Sequence, residues 1–329
     1  MTVRLLAFTD RGYALAERLA GELNGEAARC GADRSLSDWT AGAFSTADAL
    51  IFVGAAGIAA RAVAPHIQNK TTDPAVLVID ELGRYVIPIL SGHLGGANAL
   101  ARRAAQLCGG QAVITTATDL NEVFAVDLWA TVQNCAVLEP ERIKAVSARL
   151  LAGETVCFES DWPVRGDPPA GLVPGGSGGF SVSIIRKTDD RLHLVPRIVS
   201  LGVGCKRGTT RETIEEACSD FLTRNGLCSE AVVQVCTIDR KKDEPGLLAF
   251  CAANGWPLRT FSAESLSALP GLFSASAFVE RTTGVDNVCE RAAVLGSEGT
   301  LLFPKAAGGG VTLAAAAAPW APDWRWQDV

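Results

Sequence analysis

Apolar runs and segments of helical spacing alternate along most of the chain. In the first third, the apolar runs predict buried strands, and the stretches between them, apolar on one side only, predict helices. The predicted strands span residues 3–8, 47–53, 75–80, 85–90 and 111–116, and the predicted helices span residues 11–23, 58–63 and 99–107. Buried strands that alternate with helices are typical of an α/β structure with a mostly parallel sheet.

The last third of the chain shows the same alternation of apolar runs and segments of helical spacing. An apolar strand begins at Ile198, and Thr209 and Glu212 stand at capping-box spacing where the next helix starts. Pro245 opens a further helix. The pattern predicts strands at residues 231–238, 257–261, 300–305 and 311–315, and helices at residues 246–254 and 284–295.

Residues 138–196 differ in character. A helix at residues 140–151 and a strand at 155–158 precede a tract rich in proline and glycine, which predicts a flexible loop. Two apolar segments behind it, at residues 181–185 and 192–195, are candidates to pair as strands. We therefore predict N-terminal and C-terminal α/β domains with mostly parallel sheets, joined by a small middle α+β module. The predicted boundaries are residues 1–136, 137–196 and 197–329.

Length and charge narrow the class of protein. A chain of 329 residues exceeds one hydrophobic core, which favours more than one domain. The net charge of −6 argues against binding to nucleic acid, and any acidic ligand would need a local basic pocket. We found neither a signal-peptide core nor an apolar run long enough for a membrane span, so we expect a cytoplasmic protein that binds no membrane.

The ten cysteines are scattered without a CxxC pair. Several lie in apolar runs, where a reduced cysteine acts as a small hydrophobic residue. Histidine and cysteine do not cluster at ligand spacing, so the sequence predicts no metal site.

One stretch, residues 88–98, is the strongest candidate for a functional site. It compresses a strand end, a glycine-bearing turn and a helix start, and it carries Ser91, His93 and Asn98. Small residues let a ligand approach the backbone, and a helix start directs N–H groups toward an anion or a carbonyl oxygen. The alternative is a plain strand-to-helix connection whose histidine caps or packs. His66 and His193 are better explained as a surface or capping histidine and a strand-face histidine.

Two other turns follow predicted strands of the N-terminal domain, at residues 54–57 and 115–119. Ligands of parallel α/β sheets bind outside the carboxyl ends of the strands, so we expect these turns to share an edge with residues 91–98. The first turn resembles half of a nucleotide-binding fingerprint. The complete GxGxxG is missing, which weakens the hypothesis of a nucleotide-using enzyme.

In the C-terminal domain, the turn Gly204-Cys-Lys-Arg-Gly208 follows a strand and precedes a helix. Its two basic side chains and the positive end of the helix dipole favour a carboxylate or phosphate site. A solvated turn with incidental charge is the alternative.

Together these segments resemble the cobalt-precorrin-5A hydrolase family of anaerobic cobalamin biosynthesis. The resemblance rests on residues 54–61 (GAAGIAAR), 89–98 (ILSGHLGGAN), 201–208 (LGVGCKRG), 239–246 (DRKKDEPG), 261–262 (FS) and 284–290 (GVDNVCE). It covers nearly the whole chain, in the family's order of domains.

The resemblance implies a cytoplasmic hydrolase that acts on a cobalt-containing, contracted tetrapyrrole. Water would open a δ-lactone that joins the ring A acetate to a former bridge carbon, and acetaldehyde would leave to give cobalt-precorrin-5B. The cobalt belongs to the substrate, so we expect no cofactor and no metal of the protein's own. Besides the substrate, neighbouring enzymes of the pathway are candidate partners.

Lactone opening needs an activated water, donors for the oxyanion and a proton for the alkoxide. The resemblance and this chemistry together assign His93 as base and acid, and Asp119 as the residue that orients it. Ser91 as a covalent nucleophile stays open, although Ser-Gly-His is not a nucleophile elbow. Gly95, Gly96 and Asn98 are candidates to hold the oxyanion. The full set of expected substrate-binding residues is Gly54, Gly57, Arg61, Gly95, Gly96, Asn98, Thr116, Gly204, Lys206, Arg207, Gly208 and Lys241. We expect the ligand to occupy a cleft between the terminal domains.

A second hypothesis is a non-catalytic carrier of a tetrapyrrole intermediate in the same pathway. It predicts that removal of the His93 imidazole leaves both ligand binding and pathway flux intact.

Overall fold

The computed structural model describes residues 1–31, 34–69, 72–92 and 95–325. The chain divides into two compact units. The first contains residues 1–131 and 143–154 with residue 325, and the second contains residues 132–142 and 155–324. The three predicted domains stay a prediction, although each predicted segment contains most of one of the three sheets.

The first unit is built on a six-stranded sheet. Its strands are β1 (Val3–Ala7), β2 (Glu26–Arg29), β3 (Ala49–Val53), β4 (Ala75–Ile79), β5 (Tyr85–Leu90) and β6 (Gln111–Ala112). Its first six helices are α1 (Asp10–Leu23), α2 (Leu36–Thr46), α3 (Ala56–Val63), α4 (Ala97–Cys108), α5 (Ala117–Leu120) and α6 (Val126–Val132). The last residue of α6, Val132, is counted with the second unit. Helix α7 (Ile143–Leu151) also belongs to this unit.

Strand β3 shows why this sheet is buried on both faces. Ile51 faces a core formed with α1 and α4, whereas Phe52 faces a core formed with α2 and α3. Successive side chains of a strand point to opposite faces, so a continuous apolar run is needed where helices cover both sides. The unbroken run ALIFV meets that need.

The order of this sheet is β2-β1-β3-β4-β5-β6. All neighbouring strands are parallel except β4 and β5, which are antiparallel. Asp80 closes the tight turn between these two strands, because its carboxylate accepts from the backbone N–H groups of Leu82 and Tyr85 at 2.9 and 2.6 Å. The turn is too short for a crossover, so β5 must run back along β4.

The second unit contains two five-stranded sheets. The strands of the first are β7 (Cys135–Val137), β8 (Val156–Ser160), β9 (Leu172–Pro174), β10 (Phe180–Val182) and β11 (Leu192–Pro196). Those of the second are β12 (Val199–Cys205), β13 (Val232–Ile238), β14 (Leu258–Phe261), β15 (Thr300–Gly308) and β16 (Val311–Ala317). The helices are α8 (Arg211–Asn225), α9 (Pro245–Asn254), α10 (Ala263–Ala268), α11 (Ala277–Thr283) and α12 (Cys289–Ser297).

In the C-terminal sheet, β12, β13 and β14 are parallel. Strand β16 pairs antiparallel with β12 on one side and with β15 on the other. Helices α8 and α9 pack on one face, and α10 and α12 contribute to the core on the other. The predicted class, α/β with mostly parallel sheets, is confirmed by the strand pairings.

His193, on β11, is 4% exposed and joins the sheet to two carboxylates. Its Nδ1 lies 2.9 Å from Glu139 Oε1, and its Nε2 lies 3.0 Å from Asp189 Oδ1. Hydrogen bonding to Arg191 is the main cause that lowers the pKa of Asp189. The histidine predicted on a strand face is therefore buried, and its ring links β11 to Glu139 and Asp189 by hydrogen bonds.

Three local predictions were wrong. Thr210, not Thr209, caps α8, because its hydroxyl accepts from the Thr213 N–H. The helix predicted at residues 284–295 begins only at Cys289, as α12, because Gly284 is the left-handed residue that caps the end of α11. The strand predicted at residues 111–116 keeps sheet pairing only over Gln111–Ala112.

Each of the ten cysteines, all of them in the described part of the chain, is a free thiol. Burial raises the pKa of Cys218 and of Cys236 to about 12, which suits packing rather than nucleophilic chemistry. Among the described residues, no helix has the length and apolar character needed to cross a bilayer.

Candidate active site

The predicted site of the first unit begins where β5 ends. Ser91 adopts a left-handed conformation (φ 56°), and its hydroxyl donates to the backbone carbonyl oxygen of Asp73 at 2.9 Å. The Asp73 carboxylate in turn accepts from the N–H groups of Gln68 and Asn69. His93 lies outside the described residues. The turn is therefore tied to the loop before β4 through Ser91.

The helix start behind this turn is closed by its own backbone. The Ala97 N–H donates to the carbonyl oxygen of Ser91 at 3.1 Å, and the Asn98 N–H donates to that of Gly92 at 2.9 Å. Gly95 is required for this closure, since a Cβ there would lie 2.3 Å from the Cβ of Ser91. Gly96 supplies the left-handed residue (φ 76°) that leads into α4.

Asn98 and Asp119 form the centre of a polar cluster. Asn98 is 4% exposed, and its Nδ2 donates to Thr116 Oγ1 at 2.9 Å and to Asp119 Oδ2 at 3.0 Å. The Thr116 hydroxyl also donates to Asp119 Oδ2, and Arg102 pairs with Asp119 Oδ1. The structure thus brings together three predicted residues, Asn98, Thr116 and Asp119.

Arg102 also belongs to this cluster, although it was not among the predicted site residues. Arg102 follows Asn98 by one turn of α4 and so lies on the same helix face. That spacing was the available signal. The Asp119 side chain is 12% exposed, so an adjacent cation stabilises its charge where water access is small.

The expectation that three turns share one sheet edge was wrong for residues 54–57. That turn follows the carboxyl end of β3, and the Gly54 N–H donates to the carbonyl oxygen of Ile79 at the end of β4. Because β5 is antiparallel to β4, Ser91 follows β5 at the opposite edge, where Leu90 pairs with Val76. The Asn98 and Asp119 cluster shares the Ser91 edge, since β6 is parallel to β5.

Arg61 therefore belongs to a separate part of the first unit. It lies in the last turn of α3, is exposed, and its NH1 donates to the carbonyl oxygen of Gly57 at 3.2 Å. No contact in the described residues joins it to the Asp119 cluster.

In the second unit, the predicted turn Gly204–Gly208 leaves β12 and is held by a carboxylate that the sequence analysis did not single out. Glu244 accepts from the Gly208 N–H at 2.6 Å and from Lys241 Nζ at 2.9 Å. The hydrogen bond from Lys241, followed by that from Gly208, lowers the pKa of Glu244. The available signal was its place directly before Pro245, at the N-terminus of α9.

This arrangement gives the basic residues of the turn different roles. Lys241 is ion-paired with Glu244 and largely buried, whereas Lys206 and Arg207 are exposed. Gly246 allows α9 to approach the turn, because a Cβ there would lie 2.0 Å from the carbonyl oxygen of Thr209. Two cations thus project to solvent from a rigidly held turn.

Two family models match the chain. The model described as Cobalamin synthesis G N-terminal matches residues 38–119, and that described as Cobalamin synthesis G C-terminus matches residues 199–316. A cobalt-precorrin-5A hydrolase from Salmonella typhimurium is 35% identical, with 95% of this chain and 96% of the relative covered. The chain belongs to the cobalt-precorrin-5A hydrolase family.

A second member of the cobalt-precorrin-5A hydrolase family, from Priestia megaterium, is 31% identical, with 84% of this chain and 80% of the relative covered. A solved structure described as a putative cobalamin biosynthesis protein G homolog from Sulfolobus solfataricus is 21% identical, has a TM-score of 0.41 and covers 97% of each chain. The predicted role as an enzyme, a hydrolase of cobalamin biosynthesis, is confirmed by the hydrolase relatives.

Proposed function

We propose that the protein hydrolyses cobalt-precorrin-5A, opening the ring A δ-lactone and releasing acetaldehyde to give cobalt-precorrin-5B. The observation that carries the proposal is the Asp119 carboxylate, which Asn98, Thr116 and Arg102 hold at the edge where Ser91–Asn98 leaves β5. A carboxylate held in this way suits a group that orients a histidine. His93 is the histidine of this segment.

In the first step, His93 takes a proton from water, and the oxygen of that water adds to the lactone carbonyl carbon. The tetrahedral oxyanion collapses, the bond from this carbon to the ring oxygen breaks, and the alkoxide takes the proton back from His93. Asp119 stabilises the imidazolium between the two transfers. The products are a carboxylic acid, which releases its proton to solvent at neutral pH, and a hydroxyl on the former bridge carbon.

In the second step, a base removes the hydroxyl proton. An electron pair of the resulting alkoxide oxygen forms the second C–O bond of the acetaldehyde carbonyl, and the carbon–carbon bond to the macrocycle breaks. Its electron pair passes to the electron-poor ring, which is then protonated. Atoms and charge balance without an oxidant or reductant.

The geometry favours water over Ser91 as the nucleophile. A nucleophilic serine must give its hydroxyl hydrogen to a base, whereas that of Ser91 goes to the Asp73 carbonyl oxygen. Asn98 directs both hydrogens of its side-chain amide to Thr116 and Asp119. We therefore assign Asn98 as a positioning residue, with Gly95 and Gly96 as the remaining candidates for the oxyanion.

The exposed cations Lys206 and Arg207 are proposed to bind carboxylates of the substrate, because Gly208 and Glu244 hold their turn in place. The cobalt enters and leaves as part of the substrate, and the protein needs no cofactor of its own. The enzyme would work in the cytoplasm beside the other enzymes of the pathway.

The decisive experiment is anaerobic incubation with cobalt-precorrin-5A and an assay for acetaldehyde. We expect release by the wild-type protein and none by His93→Ala, with the substrate still bound by both. Binding without any release by the wild type would instead establish the carrier hypothesis. Normal release by His93→Ala would remove His93 as the base.

A further inference from the structure

The connection from β14 to α12, residues 262–288, lies at the same sheet edge as the Gly204–Gly208 turn. Strands β12, β13 and β14 are parallel, so their carboxyl ends meet at one edge. A direct contact supports this placement: Arg240, just after β13, donates from NH1 to the carbonyl oxygen of Thr282 at 2.6 Å. Its neighbour Lys241 is the residue paired with Glu244.

Part of this connection, residues 270–283, exposes large apolar side chains, and we name it the strap. Leu272 is 100% exposed and Phe278 is 67% exposed. Helix α11, which forms the end of the strap, has no buried residue. Two large apolar side chains on one short segment are thus left in water, and such exposure favours a surface that binds a partner or ligand.

A buried polar network holds the strap in place. Glu290 is 1% exposed, and its carboxylate accepts from the N–H and the hydroxyl of Ser274, at 2.7 and 2.9 Å. Asn287 Nδ2 and the Lys305 N–H complete its partners. The Arg291 guanidinium lies 4.5 Å from the ring centroid of Phe273. A satisfied buried network of this kind specifies one conformation, so Leu272 stays in water while Phe273 and Ser274 contact Arg291 and Glu290.

We propose that Leu272 and Phe278 contact the apolar ring face of the tetrapyrrole substrate while Lys206 and Arg207 bind its peripheral carboxylates. This inference rests on the proposed function. A tetrapyrrole of this class has an apolar conjugated face and a margin of carboxylates, and this sheet edge carries both the exposed apolar side chains and the exposed cations. The motif at residues 284–290 acquires a role, since Asn287 and Glu290 anchor the strap.

The test is the double variant Leu272→Ser/Phe278→Ser, with Val173→Ser as the control. Val173 is 37% exposed and lies on β9 of the middle sheet. Two readouts are needed: KM and kcat for acetaldehyde release, and direct binding of cobalt-precorrin-5A by quenching of tryptophan fluorescence. The mutated side chains are exposed, so we expect an unchanged thermal unfolding midpoint.

We expect KM and the dissociation constant to rise roughly tenfold or more, with kcat changed little. Unchanged binding in the double variant would overturn the inference, even if the wild-type protein releases acetaldehyde normally. If the wild-type protein binds the substrate but releases no acetaldehyde, the proposed function is refuted and the inference about the strap is not. In that case weaker binding by the double variant would still support the strap.

Discussion

The side-chain amide of Asn98 donates to Asp119 Oδ2 at 3.0 Å and so joins the first turn of α4 to α5. The two residues are distant in sequence, and α4, β6 and the following turn separate them. The hydrogen bond fixes the carboxylate beside the segment that carries His93. The site of the first unit therefore depends on a contact that only the folded chain makes.

Asn98→Asp is the sharpest test of this contact. The change preserves size but places two carboxylates together, and we expect the free energy of unfolding at pH 7 to fall by about 1–3 kcal/mol. Two adjacent carboxylates share a proton, so folding of the variant takes up a proton and its deficit shrinks as the pH falls from 7 to 5. Urea unfolding at both pH values measures this.

We expect kcat of Asn98→Asp to drop roughly 10²-fold, because Asp119 loses its position. Asn121→Asp at the end of the following short helix is the matched control, since Asn121 is exposed and its side-chain amide donates to the carbonyl oxygen of Ala117. Equal stability and activity of the two variants would contradict a positioning role for Asn98.

The cations of the Gly204–Gly208 turn give a second prediction. Lys206→Ala/Arg207→Ala should raise KM for the substrate roughly ten- to hundredfold, because we propose that each cation forms charge-assisted bonds to a substrate carboxylate. The wild-type KM should rise with salt, whereas that of the double variant should rise less. Steady-state kinetics at low and high ionic strength provide the measurement.

Arg11→Ala/Lys144→Ala removes the same charge from exposed positions of the first unit and serves as the control. If both double variants lost the same affinity, the effect would come from net charge and not from this turn.

Glu244 gives a prediction about pH and stability. Its pKa is lowered in the folded protein, mainly by the bond from Lys241, so its contribution to stability is present above the ordinary glutamate value of 4.5. That contribution is lost as the pH falls through the lowered pKa. We expect Glu244→Gln to be less stable than wild type at pH 7 by about 1.5–3 kcal/mol, with a smaller difference in acid.

Chemical unfolding across the acid range checks this, with the exposed Glu212→Gln as the comparison. A stability difference for Glu244→Gln that stays constant with pH would show that the charge of Glu244 is not what holds the turn.

Gly246→Ala should destabilise the second unit. The added Cβ would meet the carbonyl oxygen of Thr209 at 2.0 Å, and backbone must move to admit it, at a cost of about 1–3 kcal/mol. Calorimetry should show a lower unfolding midpoint for this variant. Gly308→Ala, where a Cβ meets nothing within 4 Å, should leave the midpoint in place.

Much of the fold follows from apolar periodicity. The strand predicted at residues 85–90 is β5, and the strands predicted at 3–8, 75–80 and 231–238 differ from the observed ones only at their ends. The helix predicted at residues 284–295 was wrong at its start, because Gly284 caps the preceding helix in a left-handed conformation. Asn287 then accepts from the Glu290 N–H at the start of the next. Such capping depends on side-chain hydrogen bonds that apolar spacing does not report.

Strand direction decided more of the candidate site than any motif did. The turn between β4 and β5 is too short for a crossover, a signal present in the sequence, and it places the Ser91 segment opposite the Gly54 turn. The spacing of residues along the chain does not predict that Arg102 pairs with Asp119 or that Glu244 accepts from Gly208. Each pair joins residues from different elements.

The sequence by itself determined the alternation of strands and helices, the family, and the segments around Ser91 and Lys206. Those properties depend on local apolar patterns and on short motifs, which the chain carries whatever its tertiary contacts are. Only the tertiary structure decided which side chains meet at each edge and which carboxylate holds which turn. The reason is physical: strand direction and helix packing set the distance between residues that are remote along the chain.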